Sequence, residues 1–314
     1  MTTSRGRRTG VVSSLVSALF LGLTPVFGKA AIELGFSPLF VVAFRTGLAA
    51  LLLFGIVALF KRKYLYIFPA GLLGCMLAGT INGAGSLLYY LSLSHLSASI
   101  GQLIYSIYPL FVALWLVLDN QPPSRLTLLR MGMAFIAIVL LTYSENFQTD
   151  MLGIVLMLGA SALYALHIPI NQRVLYEIPA PTVTLYTLLA MSIVVVPVFL
   201  IFDRSLPTPG ASFGPLIGLT LVTFFSRLTL FLGVKHLGGL QAALLGLAEL
   251  FITILASYFF LGEQLTYVQW VGAIILGISL FLFGFEKPVP SRRSGGWLSW
   301  ISSPKPKITI PFDQ

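Results

Sequence analysis

The chain has 314 residues, of which 57% are hydrophobic and only 9% are charged, and its mean hydropathy is +0.94. About a quarter of the residues of a soluble domain are charged, so this composition excludes a water-soluble globular protein. Ten spans of about 20 residues use roughly 200 positions, which leaves too little chain for a separate catalytic domain of ordinary size. The sequence therefore predicts a polytopic membrane protein.

The net charge of +9 does not indicate a nucleic-acid partner, because the basic residues lie between apolar runs rather than on one water-exposed face. The single cysteine, Cys75, lies inside an apolar run, where we expect it to pack as a small hydrophobic side chain. The sequence has no metal-ligand cluster and no phosphate-binding motif. We therefore expect neither a metal ion nor a cofactor.

Ten apolar runs in the chain are each long enough to cross a bilayer. Because these runs are continuously apolar rather than alternating in polarity, they predict helices and not barrel strands. The first run has no convincing cleavage site, so we expect it to remain as a transmembrane helix. Helices 1 to 10 are predicted at residues 11–31, 38–60, 69–93, 98–118, 126–143, 152–170, 182–202, 213–234, 240–261 and 267–285.

The cations are distributed unevenly between the two sides of the membrane. Lysine and arginine in short loops resist translocation and stay in the cytoplasm. The opposite loops hold only Arg204, and Lys29, Arg45 and Arg227 lie within helices. We therefore expect a multi-pass protein of the cell (inner) membrane with both termini in the cytoplasm. The remaining 15 of the 19 cations lie in segments that this topology assigns to the cytoplasm, and they are Arg5, Arg7, Arg8, Lys61, Arg62, Lys63, Arg125, Arg130, Arg173, Lys235, Lys287, Arg292, Arg293, Lys305 and Lys307.

Weak internal repetition relates the two halves of the chain. The tripeptide SHL at 94–96 matches KHL at 235–237, and Tyr108 aligns with Glu249 at the same offset of about 141 residues. Since each half has five helices, an odd number, the second half enters the membrane from the opposite face. The sequence predicts an all-α polytopic membrane protein with ten transmembrane helices as two inverted five-helix repeats. Residues 1–10 form a cytoplasmic amino-terminal tail, 11–147 the first repeat, 148–286 the second, and 287–314 a cytoplasmic carboxyl-terminal tail.

Ionisable groups inside the helices are the best functional candidates, because each costs several kcal/mol in hydrocarbon unless it faces water, a ligand or a partner. Arg227 in helix 8 and Glu249 in helix 9 lie at similar depths of roughly 12 Å and 15 Å. We interpret them as either a structural ion pair or a pair that opens to bind substrate or a proton. His167 is either a packing residue or part of a polar stripe with Tyr164 on helix 6.

Lys29 and Arg45 lie toward the outer ends of helices 1 and 2. They either snorkel to the surface or form a gate or outer vestibule. Polar side chains recur at helical spacing in both halves. One such stripe alone is explained by helix–helix hydrogen bonding, whereas stripes in both halves favour a shared central cavity. The predicted substrate-binding residues are Asn82, Ser86, Tyr90, Gln102, Tyr105, Tyr164, His167, Arg227 and Glu249. Helices 5 and 10 carry little polarity in their middle and are expected to be peripheral.

Several short motifs point to a known family. They are TPVFGK at residues 24–29, Phe44-Arg45 in helix 2, LGEQL at 261–265 and Gly272 in helix 10. With them the chain resembles the EamA-type permeases of the drug/metabolite transporter superfamily over residues 11–285. The family often has proline after the glutamate in helix 9, where this chain has Leu250. The corresponding proline of helix 4 is present as Pro109. Of these two helices, therefore, only helix 9 lacks a proline that would kink it.

This resemblance implies that helices 1–4 and 6–9 surround a central site, that helices 5 and 10 lie outside, and that the halves rock to give alternating access. It also implies a cargo of amino acids, other metabolites or toxic compounds, often moved outward. We expect a transporter, not an enzyme, that exports a small amino-acid-like or other small amphipathic solute. The alternative is an intramembrane enzyme acting on a lipid, which needs an acid, base and nucleophile cluster near a membrane surface. The expected partners are a small-molecule substrate, the lipid bilayer, coupling to a proton or to exchange, and at most a second copy of the chain.

The distribution of cations generates a test of topology. A single cysteine introduced at Asn146, in the connection between helices 5 and 6, should react in intact cells with a membrane-impermeant thiol reagent, because this loop is predicted to face outward. The background is Cys75→Ala, which removes the native thiol. Protection of Asn146→Cys from the reagent would contradict cytoplasmic termini.

Overall fold

The computed structural model describes residues 4–141, 150–203, 212–253, 266–285 and 296–301, and every long regular element in these ranges is helical. The predicted ten-helix fold class is confirmed, and seven helices are by themselves long and apolar enough to span a membrane. The connection with Asn146 and the motif at 261–265 lie outside the described residues. The helices are 1 (Ser4–Glu33), 2 (Pro38–Phe60), 3 (Pro69–His95), 4a (Ala98–Tyr105), 4b (Tyr108–Leu118), 5 (Arg125–Leu141), 6 (Met151–Leu175), 7 (Ala180–Phe202), 8 (Gly214–Leu237), 9a (Gly239–Gly246), 9b (249–253 in the described residues) and 10 (Tyr267–Phe281).

Several helix starts follow from local capping chemistry. The Ser37 hydroxyl accepts a hydrogen bond from the Phe40 N–H at 3.1 Å, and Pro38 occupies the first turn, where its missing N–H costs nothing. Asp150 caps helix 6 by accepting from the Leu152 N–H at 2.9 Å. That bond and the neighbouring His95 ring hold the pKa of Asp150 below its usual range. The cap therefore joins the start of helix 6 to the end of helix 3.

The packing of the helices has internal twofold pseudosymmetry. Helix 1 packs most extensively along helix 8, and helix 3 along helix 6, while helices 2 and 7 form one further pair and helices 5 and 10 another. Exchanging each helix for its counterpart in the other repeat converts the 1–8 pair into the 6–3 pair and leaves the 2–7 and 5–10 pairs unchanged. This is the arrangement of two inverted five-helix repeats.

Two glycines show that the symmetry extends to individual contacts. A Cβ atom at Gly10, near the start of helix 1, would lie 2.8 Å from the Cβ of His236 at the end of helix 8. A Cβ atom at Gly153, near the start of helix 6, would lie 2.9 Å from the Cβ of His95 at the end of helix 3. Both sites therefore require a residue without a side chain, because the two helix backbones approach closely there.

Helices 4 and 9 are both interrupted near their middle, at positions about 141 residues apart. At each break the hydrogen bonds shorten to an i→i−3 pattern, as in Leu110 N–H to Ile107 O at 3.0 Å and Leu250 N–H to Leu247 O at 3.1 Å. Short stretches of this pattern inside a helix commonly mark a hinge. Pro109 accounts for the break in helix 4.

Helix 9 is interrupted although it has no proline at this position, so the presence of proline alone does not predict where a helix breaks. Helix 9a ends at Gly246, whose missing side chain leaves room for the Tyr108 hydroxyl of helix 4b. That hydroxyl donates to the Ala243 carbonyl oxygen at 3.0 Å. A contact between the two repeats therefore lies at the break in helix 9.

Helices 5 and 10 pack against each other, and one buried cation lies between them. Arg130, which the charge pattern assigned to a cytoplasmic segment, belongs to helix 5 and is fully buried. Its Nε donates to the Ser279 carbonyl oxygen at 3.0 Å and its Nη1 to Gln241 Oε1 at 2.7 Å. Gln241 of helix 9a therefore faces helix 5.

A short segment, residues 296–301, docks beside the ends of helices 4b and 6. Asp119 at the end of helix 4b and Arg173 at the end of helix 6 form a buried ion pair of 2.7 Å between the repeats. The Leu298 N–H donates to Asp119 Oδ1 at 3.2 Å, and Leu298 and Ile301 are buried. Gly296 has a φ of +84°, and a Cβ atom there would lie 2.9 Å from the Asp119 carbonyl carbon. The charge pattern placed Arg173 among the cations of the cytoplasmic segments. In the structure it lies in the last turn of helix 6, and residues 296–301 cover its partner Asp119.

The small-residue face of helix 3 generates a prediction on stability. A Cβ atom at Gly79 would lie 2.6 Å from the Thr187 carbonyl oxygen of helix 7, so Gly79→Ala must push two backbones apart at a cost of about 1–3 kcal/mol. Thermal unfolding of the purified protein should show a lower midpoint. Gly55→Ala is the matched control, because nothing lies within 4 Å of its added Cβ atom. Equal midpoints for the two variants would show that helices 3 and 7 do not meet at Gly79.

Candidate functional site

A small cavity of about 40 Å³ lies between the helices in the middle of the bundle. A cavity of this volume admits water, so the helices must move apart to admit a metabolite. Both repeats contribute side chains, from helices 1, 2, 3, 4a, 6, 8 and 9b. The cavity is lined by Leu21, Thr24, Arg45, Asn82, Gly85, Ser86, Tyr89, Gln102, Tyr105, Tyr164, Ser226, Arg227 and Glu249.

Arg45 is almost completely buried, with only 5% of its surface exposed, and three neighbouring side chains hold it in place. Its Nη1 donates to Thr223 Oγ1 at 3.0 Å and its Nη2 to Ser86 Oγ at 3.3 Å. The guanidinium carbon lies 4.7 Å from the centre of the Tyr90 ring, within the range of a cation–π interaction. The Nε has no hydrogen-bond partner among the described residues. Arg45 is therefore a positioned cation with a spare donor.

Arg227 and Glu249 line the same cavity. The Arg227 guanidinium carbon lies 5.3 Å from the centre of the Tyr164 ring, and Glu249 is only 1% exposed. The structure forms an ion pair between Arg173 and Asp119 but, over the residues it describes, none between Arg227 and Glu249. Arg227 Nη1 and Glu249 Oε1 each lack a hydrogen-bond partner there. The two groups thus face one cavity without closing on each other.

Tyrosine rings form a continuous wall beside these charges. Tyr105 is central, with ring centroids 5.0 Å from Tyr89, 5.7 Å from Tyr108 and 5.2 Å from Tyr164. The Tyr89 hydroxyl donates to Gln102 Oε1 at 3.3 Å. Tyrosine offers an apolar face with a polar tip, so the wall can contact the apolar part of a solute while its hydroxyl groups stay hydrogen-bonded.

The structure brings most of the predicted binding residues into one cavity, and two of them lie behind its wall. Tyr90 supports Arg45. His167 does not line the cavity and is fully buried; its ring centroid lies 4.7 Å from that of Tyr164, and the ring contacts the Tyr164 carbonyl oxygen. The predicted residues that line the cavity are Asn82, Ser86, Gln102, Tyr105, Tyr164, Arg227 and Glu249.

The two residues assigned to an outer vestibule are separated in the structure. Arg45 belongs to the central cavity, because its side chain points inward from helix 2 along the polar face of helix 3. Lys29 lies elsewhere, where its Nζ donates to the carbonyl oxygens of Leu93 at 3.1 Å and Leu96 at 3.2 Å. It thereby satisfies carbonyl groups at the end of helix 3, a favourable place for a cation.

Three lining residues had no usable signal in the sequence analysis. Leu21 is apolar, Gly85 has no side chain, and Ser226 is an ordinary residue of a membrane helix. Gly85 and Ser226 each adjoin a predicted residue, Ser86 and Arg227. Extending each predicted position by one residue would have found both.

The arrangement suits reversible binding rather than covalent chemistry. The lining has two guanidinium groups, one carboxyl group, several hydroxyl and amide groups, and an aromatic wall. Groups of three or more metal-ligating side chains are absent from the described residues.

Lys29 generates a prediction that separates structure from gating. Lys29→Met removes two hydrogen bonds from a charged donor, which should cost about 1–3 kcal/mol and lower the midpoint of thermal unfolding. Lys61→Met, which removes an exposed cation, is the matched control and should leave the midpoint unchanged. A Lys29→Met protein with unchanged stability but an altered rate of solute transport would instead favour the outer gate.

Comparison with known proteins gives a consistent result. The model of the EamA-like transporter family matches residues 8–143 and 151–285. The uncharacterized transporter sll1319 of Synechocystis sp. is 27% identical over 212 residues, which are 65% of this chain and 64% of that protein. The uncharacterized transporter YcbK of Bacillus subtilis is 26% identical over 211 residues, 64% of this chain and 67% of that protein. The matched part is thus slightly under two thirds of the length of the first relative.

A solved crystal structure shares the fold. It superposes with a TM-score of 0.67 over 89% of this chain and 96% of the other, at 14% sequence identity.

Proposed function

The chain belongs to the EamA-like transporter family, and we propose that it moves a small amino-acid-like or other small amphipathic solute across the membrane by alternating access through the central cavity. The observation that carries this proposal is the central cavity itself, to which both repeats contribute hydrogen-bonding and charged side chains next to an aromatic wall. Ionisable residues inside a membrane bundle commonly mark a substrate or ion pathway. The cavity therefore supports solute binding at the centre of the bundle.

Alternating access requires helices that bend or rock around this cavity. The breaks in helices 4 and 9 are suited to that role. Gln102 lies in helix 4a just before one break, and Glu249 lies at the start of helix 9b just after the other. Bending at either break would change the position of one lining residue relative to Arg227 on the unbroken helix 8. Such a bend couples solute contact to the shape of the bundle.

We place the protein in the cell (inner) membrane with both termini in the cytoplasm, on the basis of its cation distribution. The direction implied by the resemblance is outward, so the proposed activity is efflux. Glu249 is the proposed group for proton coupling, because it is the one carboxyl group among the lining residues. Exchange of one solute for another is the alternative form of coupling.

An intramembrane enzyme acting on lipid is not favoured by the same geometry. Such an enzyme needs an acid, a base and a nucleophile within reach of each other near a membrane surface. Glu249 instead lies beside a guanidinium group in the middle of the bundle and is almost completely buried. The relatives reported above are also named as transporters.

Flux measurements in proteoliposomes test the proposed transport directly. Vesicles containing the purified protein and preloaded with a panel of radiolabelled amino acids and small amphipathic metabolites should release at least one of them faster than protein-free vesicles. The Gly79→Ala variant is unsuitable as a control, because its fold is perturbed. A panel without a single accelerated solute would contradict the proposal.

Arg227 and Glu249 are the residues whose substitution should separate binding from coupling. Arg227→Gln should abolish transport, since a guanidinium group that receives an anionic group of the solute is lost, and the buried glutamate can protonate to limit the damage to folding. Glu249→Gln should retain solute binding but weaken any dependence of transport on a proton gradient. Transport rates and binding isotherms of the two variants distinguish these effects.

The double variant Arg227→Met/Glu249→Leu is the critical comparison. Replacing a buried charged pair by apolar residues of similar volume often preserves or raises stability, so this protein should fold but not transport. A double variant that folds and transports normally would show that both charges are structural.

A further inference from the structure

We propose that the cargo carries a net negative charge, and that Arg45 and Arg227 bind its anionic part together. This inference rests on the proposed transport function and narrows its substrate class. It selects small organic acids, including acidic amino acids, over zwitterionic and cationic solutes of the same size.

The charges that line the cavity do not balance. Arg45 and Arg227 contribute two positive charges, and Glu249 contributes at most one negative charge. The other carboxyl groups of the described helices and loops do not line the cavity, and Asp119 is committed to Arg173. A buried cation without a counter-charge is costly. The empty cavity therefore holds at least one positive charge that a bound solute can neutralise.

The guanidinium groups of Arg45 and Arg227 face the same cavity. Because the two groups carry like charges and line one cavity, they repel each other. An anion placed between two such groups gains attraction from both and relieves their repulsion. A zwitterion, in contrast, brings an ammonium group that must also be placed in the cavity. Only Glu249 can pair with it, and the net positive charge remains.

Arg45 is already oriented for this role. The Thr223 hydroxyl donates its proton to the Leu219 carbonyl oxygen at 2.8 Å, so the oxygen is available only as an acceptor for Arg45 Nη1. With Tyr90 under its plane, the guanidinium group has little freedom to rotate. Its Nε remains without a partner in the described residues. Binding an anion here costs little reorganisation, which is the usual advantage of a preorganised site.

The apolar part of the cargo would lie against the tyrosine wall. Tyr89, Tyr105 and Tyr164 line the cavity on the side of Gln102. Their rings accept an aliphatic or aromatic body, while carboxylate oxygens face the arginines. The expected cargo thus has one carboxylate, no compensating ammonium group or a second acidic group, and a small apolar body.

Pairs of solutes of nearly equal size test this inference in proteoliposomes. The first pair is 3-phenyllactate, with one net negative charge, and phenylalanine, which is neutral overall. The second pair is glutamate and glutamine. Within at least one pair the anionic member should be transported about tenfold more efficiently, which corresponds to about 1.4 kcal/mol. In Arg45→Gln this preference should fall to less than about threefold, whereas Arg45→Lys should retain it.

Arg62→Gln is the matched control, because it removes an exposed cation far from the cavity and should leave the preference unchanged. Transport of both members of each pair at equal rates would overturn the inference on charge while leaving the proposed transport function intact. A preference that persists unchanged in folded Arg45→Gln protein would overturn the role of Arg45. Failure of all four solutes to move would count against the proposed amino-acid-like cargo as well.

A second measurement does not depend on the identity of the cargo. Ser226→Cys places a thiol in the cavity lining, and Tyr66→Cys places one at an exposed position, where the native side chain is 76% exposed. An anionic sulfonatoethyl and a cationic trimethylammonioethyl methanethiosulfonate are the probes. The ratio of anionic to cationic labelling rates should be about tenfold higher at position 226 than at position 66, because a positive cavity attracts anions. Equal ratios at the two positions would overturn the inference.

Discussion

The constraint on which this structure depends is the burial of the Arg45 and Arg227 guanidinium groups at the centre of an apolar bundle. Each must keep its charge and satisfy its donors without water from the lipid side. The polar faces of helices 3 and 8 and the tyrosine rings supply those contacts, as Ser86 and Thr223 do for Arg45. Because hydroxyl groups and aromatic rings compensate a cation only in part, the bundle retains a positive cavity. The proposed anionic solute would neutralise this excess positive charge.

The scaffold is symmetric, but its chemistry is not. Helix pairs, glycine contacts and helix breaks recur in both repeats. The charged residues do not, because the position equivalent to Arg227 holds Ser86 and the position equivalent to Glu249 holds Tyr108. A symmetric bundle can open toward either face with similar contacts, whereas an asymmetric lining lets one cavity hold a cation pair, a carboxyl group and an aromatic wall. The divergence between the repeats is therefore where function resides.

Much of this architecture could be predicted from the sequence. The hydrocarbon core of the bilayer requires long apolar helices, and an odd number of helices in each repeat requires the second repeat to be inverted relative to the first. Seven of the nine residues predicted to bind substrate also line the cavity. The failures have a common physical cause. Depth along a helix can be counted from the sequence, but the direction of a side chain around the helix axis depends on its neighbours. For this reason Arg45 was placed too far out, Arg130 was counted as a loop cation, and Arg173 was not recognised as the partner of Asp119. The break in helix 9 was missed because a glycine in contact with Tyr108, rather than a proline, stands at it.

The docked segment at residues 296–301 has a consequence for how the bundle responds to its surroundings. Because Leu298 binds Asp119 through its own backbone, the segment behaves as a ligand that is tethered to its receptor. Because the segment and the site it covers belong to one polypeptide, their association does not depend on how much protein is present. The inter-repeat ion pair is thus covered by part of its own chain, and no second molecule is needed to bury it.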